Sequence, residues 1–258
     1  MIDTHCHIND ELYKDNPKFY IEDAKKEGVK NFLVVGFNLE SSKEAVKIAE
    51  KYDECYAAIG VHPSDTKEIE IEDLDVLYDL AKSKKVIAIG EIGLDYYWDK
   101  DENVREKQKI FFKKQIEIAN KLNIPISIHC RDANEECLKI LKENKVKNSG
   151  IMHCYSGSAE MMNEFTKLGF LLGIGGVVTF KNAQKMKEVA SKVSSEFYVL
   201  ETDAPYLTPE PYRGHENHSK YLKFIRDKIA NLRNVESFEV ERQTTENFRR
   251  VFKIWKST

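Results

Sequence analysis

The sequence of 258 residues predicts an α/β fold, a single closed (β/α)8 barrel. Eight short apolar or β-branched runs alternate with longer amphipathic, charge-rich stretches, which is the pattern of repeated βαβ units and a parallel sheet. The length is that of one such barrel, and residue types that bind metals stand at the ends of most of the runs. Eight strands is also the number that closes a barrel.

The strands and helices follow one another along the whole chain. Phe112, Ile116 and Ala119 after the fourth strand repeat at helical spacing, and Pro125 marks the end of that helix. A last amphipathic helix, Thr244 to Trp255, is expected to pack against the outside of the barrel. The predicted strands are Ile2 to His7, Asn31 to Phe37, Cys55 to His62, Val86 to Glu91, Ile126 to His129, Gly150 to His153, Phe170 to Gly175 and Phe197 to Asp203.

The chain is expected to form one domain over residues 1–258, because no linker, internal repeat or change of composition divides it. An open doubly wound sheet would give the same alternation of strands and helices. Such a sheet normally carries a glycine-rich phosphate loop after its first strand, whereas this strand ends in His5-Cys6-His7. The sequence therefore favours the barrel.

Composition and charge exclude several classes of protein. Hydrophobic residues make up 41% and charged residues 32%, which is typical of a globular domain, and the formal net charge of -3 provides no general attraction for nucleic acid. The chain has no secretory leader pattern and no apolar stretch near the roughly 20 residues of a membrane helix, so a cytoplasmic location is expected. Five cysteines, an odd number without CxxC spacing, indicate reduced thiols.

Residues typical of metal ligands end six of the eight predicted strands. His5 and His7 lie two positions apart on the first strand, so both side chains point the same way. The carboxyl ends of all strands meet on one face of a barrel, which brings distant residues to one cleft. A lone histidine is more often a hydrogen-bonded core residue, but this set predicts a metal site, with Glu91 as a bridge between two ions. The set is His5, His7, His62, Glu91, His129, His153 and Asp203.

The cysteines beside these residues are expected to play another role. Cys6, Cys130 and Cys154 each follow a candidate histidine ligand by one position, and alternation along a strand predicts that they face the helices. Buried packing is therefore their expected role.

An ordered series of motifs resembles the TatD family of metal-dependent hydrolases over almost the entire chain. The resemblance implies a (β/α)8 TIM barrel of the metal-dependent hydrolase type. The motifs are DTHCH from Asp3, GVHP from Gly60, GEIGLDYY from Gly90, HCRDA from His129, HCYSG from His153, VTF from Val178, ETDAPYL from Glu201, PYRG from Pro211 and TTENF from Thr244. So many motifs in this order make the resemblance highly specific.

The resemblance implies two divalent metal ions per subunit and a hydrolytic reaction. One ion is expected on His5, His7, Glu91 and Asp203, and the other on Glu91, His129 and His153, with Glu91 shared. Asp203 and Glu91 are the expected catalytic residues, and Asp203 is the expected proton acceptor from the attacking water. Family members are typically DNases, often 3′-to-5′ exonucleases on single strands with Mg, while a histidine-rich donor set favours Zn or Mn.

Four residues near the expected cleft are candidate substrate contacts: His62, Arg131, Tyr155 and Arg213. Arg131 could instead form a structural ion pair with Asp132 or another acid. Exposed aromatic rings on the same face could stack on unpaired bases, and Asp95 and Glu201 could orient the metal ligands. The expected partner is single-stranded DNA as substrate, with no membrane and no obligate protein partner.

Two other functions stay open at this point. The same metal residues would serve a D-aminoacyl-tRNA deacylase, an amidase or an esterase, because they do not distinguish phosphorus from carbonyl carbon. A noncatalytic scaffold is the third alternative, although such proteins usually lose ligands and none is missing here. One stretch departs from the family pattern: Asn217-His218-Ser219 stands where Asn, an acid or amide, and Pro are usual. His215 and His218 are expected to be surface-loop histidines.

Overall fold

The computed structural model describes residues 1–13 and 15–254. Eight parallel strands lie side by side in chain order, and the barrel prediction is confirmed. The strands are β1 (Ile2–Cys6), β2 (Asn31–Val35), β3 (Cys55–Ile59), β4 (Val86–Asp95), β5 (Ile126–Arg131), β6 (Gly150–Met152), β7 (Leu171–Ile174) and β8 (Tyr198–Leu200).

The first and last strands meet and close the ring. Just beyond β8, the Asp203 amide donates to the His5 carbonyl at 2.9 Å, and the His7 amide donates to the Ala204 carbonyl at 2.8 Å. A parallel bridge joins Cys6 to Ala204. The carboxyl ends of all eight strands therefore surround one mouth.

Helices connect the strands and surround the barrel. They are α1 (Pro17–Lys26), α2 (Leu39–Lys51), α3 (Val76–Leu80), α4 (Glu102–Leu122), α5 (Asn134–Glu143), α6 (Ala159–Lys167), α7 (Gln184–Lys192), α8 (Leu222–Arg233) and α9 (Ser237–Phe252). Phe32 and Val34 of β2 point outward into the layer between barrel and helices, where Ala24 and Ala45 pack. The alternate residues Leu33 and Val35 point inward, as the period of a strand requires.

The last helix corrects one prediction. Phe248, Val251 and Phe252 of α9 pack with Ile2 and Val199 in the inner cluster, so α9 closes the amino-terminal end of the barrel instead of lying against its outer wall. The Asn247 side chain strengthens this closure by donating to the carbonyl of Tyr198, the first residue of β8. An amphipathic period identifies an apolar face but not the surface that it covers. Trp255 of the predicted helix lies outside the described residues.

Candidate metal centre

Strand alternation brings the candidate ligands into the barrel mouth. Val199 of β8 lies in the inner cluster, and Glu201 and Asp203 continue its inward parity. Ala58 of β3 is likewise inward, with His62 four positions later. The inner apolar residues fill the lower barrel, and the polar residues that follow them on the same faces form its upper layer.

Strands β4 and β5 extend further than predicted and hold Glu91 and His129 side by side. Gly93 of β4 has a φ of 143°, and a Cβ built there would lie 2.0 Å from the His129 carbonyl oxygen. Only glycine combines this backbone conformation with so close an approach. The two strands can therefore stay paired at the point where Glu91 Oε1 lies 2.9 Å from His129 Nδ1.

The two carboxylate oxygens of Glu91 face two different groups of imidazoles. Oε2 lies 3.5 Å from His5 Nε2 and 3.8 Å from His7 Nε2. Oε1 lies near His129, and it is 3.8 Å from His153 Nε2 and 3.7 Å from His62 Nε2. Glu91 is only 5% exposed, so the whole cluster is buried around it. Because its two oxygens face different imidazoles, the carboxylate lies between two halves of the histidine cluster.

Asp203 faces the same cluster from the last strand. Its Oδ1 lies 3.5 Å from His7 Nε2, 3.8 Å from His5 Nε2 and 3.6 Å from His153 Nε2. The two ring nitrogens His5 Nε2 and His7 Nε2 are 3.3 Å apart. All six residues predicted as metal ligands are thus brought together at the mouth.

The spacing of these atoms fits shared bonding to a metal. Most of the nitrogen-to-oxygen distances, 3.5–3.8 Å, are too long for good hydrogen bonds. Two donors bound tetrahedrally at about 2.0–2.2 Å from one cation would lie roughly 3.3–3.6 Å apart. The nitrogen and oxygen donors are also of the kinds that Zn and Mn accept. His5, His7 and Asp203 therefore fit a divalent cation beside Glu91.

A second layer of carboxylates orients the histidines. Asp95 Oδ2 lies 3.0 Å from His129 Nε2, which turns His129 Nδ1 toward Glu91. Glu201 Oε2 lies 3.3 Å from His153 Nδ1, and Glu201 Oε1 accepts from the Cys154 amide at 2.5 Å. Carboxylates that hold a ligand histidine by its far nitrogen fix its tautomer and raise its basicity.

The carboxylates and histidines of the cluster shift each other's pKa values. Burial lowers the pKa of His153, but the carboxylates of Glu201 and Asp203 outweigh this and raise it to about 10. Burial also lowers the pKa of His129, yet hydrogen bonds to Asp95 and Glu91 raise it to about 9. Without metal, two imidazolium ions therefore offset part of the carboxylate charge at neutral pH. Divalent cations can replace those protons.

The four candidate substrate residues occupy different positions. His62 belongs to the cluster: its ring centroid is 4.3 Å from that of His129. Arg131 and Arg213 are exposed at the mouth, and the predicted ion pair of Arg131 with Asp132 is not among the contacts of the described residues. Tyr155 is 4% exposed and donates its hydroxyl to the Ser158 carbonyl at 2.8 Å, so it is the least accessible of the four. Their substrate roles stay predictions.

Two further predictions from the sequence are wrong. Cys154 does not face the helices: β6 ends at Met152, Cys154 has a φ of 42°, and its sulfur lies within 4.8 Å of ligand atoms of His153 and Asp203. His218 is no surface-loop histidine, because it is 7% exposed and lies beside Tyr20 of α1. Cys6 and Cys130 are buried in the layer facing the helices, as predicted.

Comparison with known proteins identifies the family. The family model for TatD-related DNases matches residues 2–253. The chain belongs to the TatD-related DNase family. Family membership and the donor cluster together make the chain a metal-dependent hydrolase.

Several relatives are similar over nearly their full length. An uncharacterized metal-dependent hydrolase of Bacillus subtilis, YabD, is 45% identical over 255 residues, covering 98% of this chain and 99% of the relative. The 3′-5′ ssDNA/RNA exonuclease TatD of Klebsiella pneumoniae is 32% identical, covering 98% of each chain. The crystal structure of YJJV, a TatD homologue from Escherichia coli, superposes with a TM-score of 0.93 at 27% identity, covering 99% of this chain and 98% of that one.

A helix that crosses a membrane needs roughly 20 predominantly apolar residues, and the helices of this chain can be set against that requirement. None of those in residues 1–13 and 15–254 is long and apolar enough to do so.

Proposed function

We propose that this chain hydrolyses phosphoester bonds with two divalent metal ions and acts as a 3′-5′ exonuclease on single-stranded DNA. The observation that carries the proposal is the division of Glu91: one carboxylate oxygen faces His5 and His7, the other faces His129 and His153. Two cations held by one bridging carboxylate are a recurring arrangement for stabilising both the attacking and the leaving oxygen at phosphorus.

The proposed ligands follow the two halves of the cluster. His5, His7 and Asp203 would hold one ion with Glu91 Oε2, and His129 and His153 would hold the other with Oε1. We propose Mg, Mn or Zn as the ions, and the four imidazoles favour Zn or Mn over Mg. When bound, such ions acidify a coordinated water and stabilise negative charge that develops at phosphorus.

Asp203 is suited to accept the proton of the attacking water. Burial raises its pKa, but the neighbouring imidazoles of His153 and His7 outweigh this and hold it below its ordinary value. Asp203 is therefore ionised at neutral pH. Its side chain is 13% exposed, against 6% for Glu91 and 0% for Glu201, so it is the carboxylate that solvent reaches most easily.

The residues around the centre would bind the phosphate. Arg131 and Arg213 carry permanent positive charge at the mouth, and guanidinium groups donate paired hydrogen bonds to phosphate oxygens. Burial and the nearby His129 lower the pKa of His62 to about 3, so we expect a neutral imidazole that donates one hydrogen bond. Tyr155 is proposed only as a neighbour of the substrate, since its hydroxyl is already bonded to Ser158.

One relative supports the proposed activity, and the cysteines support a proposed cytoplasmic location. The relative from Klebsiella pneumoniae is named as an exonuclease on single-stranded DNA and RNA, and it is 32% identical to this chain. The five cysteines, Cys6, Cys55, Cys130, Cys137 and Cys154, are all free thiols, which agrees with the proposed cytoplasmic location.

The test is digestion of a 5′-labelled single-stranded DNA by metal-stripped protein, with Mg, Mn or Zn restored separately. A 3′-5′ exonuclease gives a ladder of labelled products that shortens stepwise and requires metal. Asp203→Asn should abolish the ladder, whereas the matched control Asp53→Asn, at the exposed start of β3 on the opposite end of the barrel, should not.

The substrate panel should include RNA, circular DNA, aminoacyl esters and amides. Cleavage of the circle would indicate an endonuclease, and activity only on aminoacyl esters or amides would replace the phosphoesterase proposal with an acyl hydrolase. Unchanged activity of the Asp203→Asn protein would contradict the assignment of the proton acceptor.

A further inference from the structure

Beyond the metal centre, two arginines lie over aromatic rings at the mouth. The Arg131 guanidinium carbon is 3.9 Å from the centre of the Tyr97 ring, and the Arg213 guanidinium carbon is 4.2 Å from the centre of the Phe180 ring. Among the described residues, the arginines in ion pairs are Arg105, Arg226 and Arg242, and not these two. Both guanidinium groups therefore keep their donor edges available for an anion.

The first stack stands on a loop that is tied to the metal centre. Asp95, whose Oδ2 contacts His129, also accepts from the Tyr97 amide at 2.9 Å and the Trp98 amide at 3.0 Å through Oδ1. The ring of Trp98 is 68% exposed and that of Tyr97 is 44% exposed. One carboxylate thus fixes both a ligand histidine and the backbone that presents two aromatic rings to solvent.

A second exposed ring, that of Tyr206, lies beside the other half of the centre. Tyr206 is 54% exposed, its amide donates to the Asp203 carbonyl at 2.7 Å, and its ring centroid is 6.2 Å from that of His7. Arg213 follows seven positions later in the same connection after β8. An exposed aromatic ring and a stacked arginine are therefore repeated on this rim.

The order of the strands places the exposed rings of Trp98 and Tyr206 on opposite sides of the mouth. In the closed sequence β1 to β8, β4 and β8 are four strands apart, which is half of the ring. Trp98 follows β4 and Tyr206 follows β8. Arg131 ends β5, and Arg213 contacts Phe180, which follows β7. Glu91, His5 and the other candidate ligands lie between the two exposed rings.

We propose that the 3′ end of a single strand of nucleic acid lies across the mouth between Trp98 and Tyr206, with its last phosphodiester at the metal centre. The 3′-terminal base would stack on one of these two rings and a preceding base on the other, and the phosphates of the remaining strand would bind the arginine on their side of the mouth, Arg131 or Arg213. The exposed rings require unpaired bases, because the bases of a duplex already stack on one another. This inference rests on the proposed phosphoesterase function and adds the path of the substrate.

The test measures how Trp98→Ala changes the binding of a long substrate and the hydrolysis of a small one. Binding of a phosphorothioate-linked single-stranded octamer to the metal-loaded protein is measured by fluorescence anisotropy, and hydrolysis is measured on methyl nitrophenyl phosphate, a small ester that carries no base. Loss of one stacked base should weaken octamer binding about 5- to 150-fold and leave the small ester unaffected. The matched control is Phe238→Ala, since Phe238 is also 68% exposed but lies on α9 at the closed end of the barrel.

A scan with abasic residues then tests the crossing itself. A missing base at the position that stacks on Trp98 should weaken binding to the unsubstituted protein but not to Trp98→Ala, and Tyr206→Ala should lose its response at a different position of the strand. The path would be overturned if Trp98→Ala and Phe238→Ala weakened octamer binding equally. It would also be overturned if Trp98→Ala and Tyr206→Ala lost their response to an abasic residue at the same position of the strand.

The outcomes separate the two proposals. Hydrolysis of the small ester together with octamer binding that does not depend on Trp98 would reject the path and keep the phosphoesterase. Binding of the octamer through Trp98 without hydrolysis of any phosphoester would reject the phosphoesterase and keep a strand-binding mouth.

Discussion

Replacing Asp95 with asparagine should disable His129 as a metal ligand. Asp95 accepts from His129 Nε2, so that when metal displaces the second proton of the imidazolium, the lone pair of Nδ1 is the one left for the metal beside Glu91. In Asp95→Asn, the amides of Tyr97 and Trp98 keep the side-chain oxygen in its place, since turning the amide would set donors against donors. The new NH2 group then faces His129 Nε2 and forces the proton to Nδ1.

The expected loss follows from the role of this contact. Removal of a carboxylate that orients a ligand histidine typically weakens metal binding about 10- to 100-fold, or about 1.4 to 2.7 kcal/mol. Titration calorimetry with Mn or Zn measures the affinity, and nitrogen NMR of the His129 ring identifies the tautomer. The matched control is Asp99→Asn in the same loop, because Asp99 is buried as well but contacts Lys67 and Gln108 instead of a histidine. Unchanged affinity in Asp95→Asn, or an equal loss in Asp99→Asn, would refute the reasoning.

Three other perturbations test separate parts of the structure. A Cβ at Gly173 would lie 2.2 Å from Glu201 Oε2, so Gly173→Ala should displace that carboxylate. The variant should lose about 1–3 kcal/mol of unfolding free energy, measured by urea unfolding, and should bind metal more weakly. Unchanged unfolding free energy and metal affinity would contradict this. Burial lowers the pKa of His218 to about 4, below the ordinary value of 6.5. Because the unfolded chain then binds the proton more readily than the folded chain, the unfolding free energy should fall by at most about 3 kcal/mol as the pH drops from 6.5 to 4. His218→Gln should flatten that slope in urea unfolding measured across this pH range, and an unchanged slope would assign it to other groups. Chelation should lower the unfolding free energy by about 2.7 kcal/mol relative to protein in metal at 100 times its dissociation constant, and a melting temperature that chelator does not change would argue against bound metal.

The fold could be predicted from sequence because each strand has a recognisable local sequence pattern. Apolar runs such as that in β2 alternate with amphipathic helices, and the carboxyl ends of parallel strands must share one face of a barrel. The same rule predicted that His5 and Asp203 lie close together, although they are far apart in the chain. Periodicity carried less information about α9, since the apolar face formed by Phe248 and Phe252 fits the end of the barrel as well as its wall.

The parts of the site that escaped prediction depend on where a strand stops and on how loops run. Alternation placed Cys154 on the outer face, but β6 ends two residues earlier and the backbone turns. His218 was expected on the surface because nothing local indicates that Tyr20 of α1 covers it. Asp95 was expected to orient a ligand, whereas its hold on the loop that carries Trp98 depends on contacts that only the folded chain defines.

The most direct test of the metal centre is anomalous diffraction from crystals grown with Mn or Zn. We predict two anomalous peaks on either side of the Glu91 carboxylate, one beside His5 and His7 and the other beside His129 and His153. A single peak, or peaks that do not contact Glu91, would contradict a centre with two metal ions bridged by this residue.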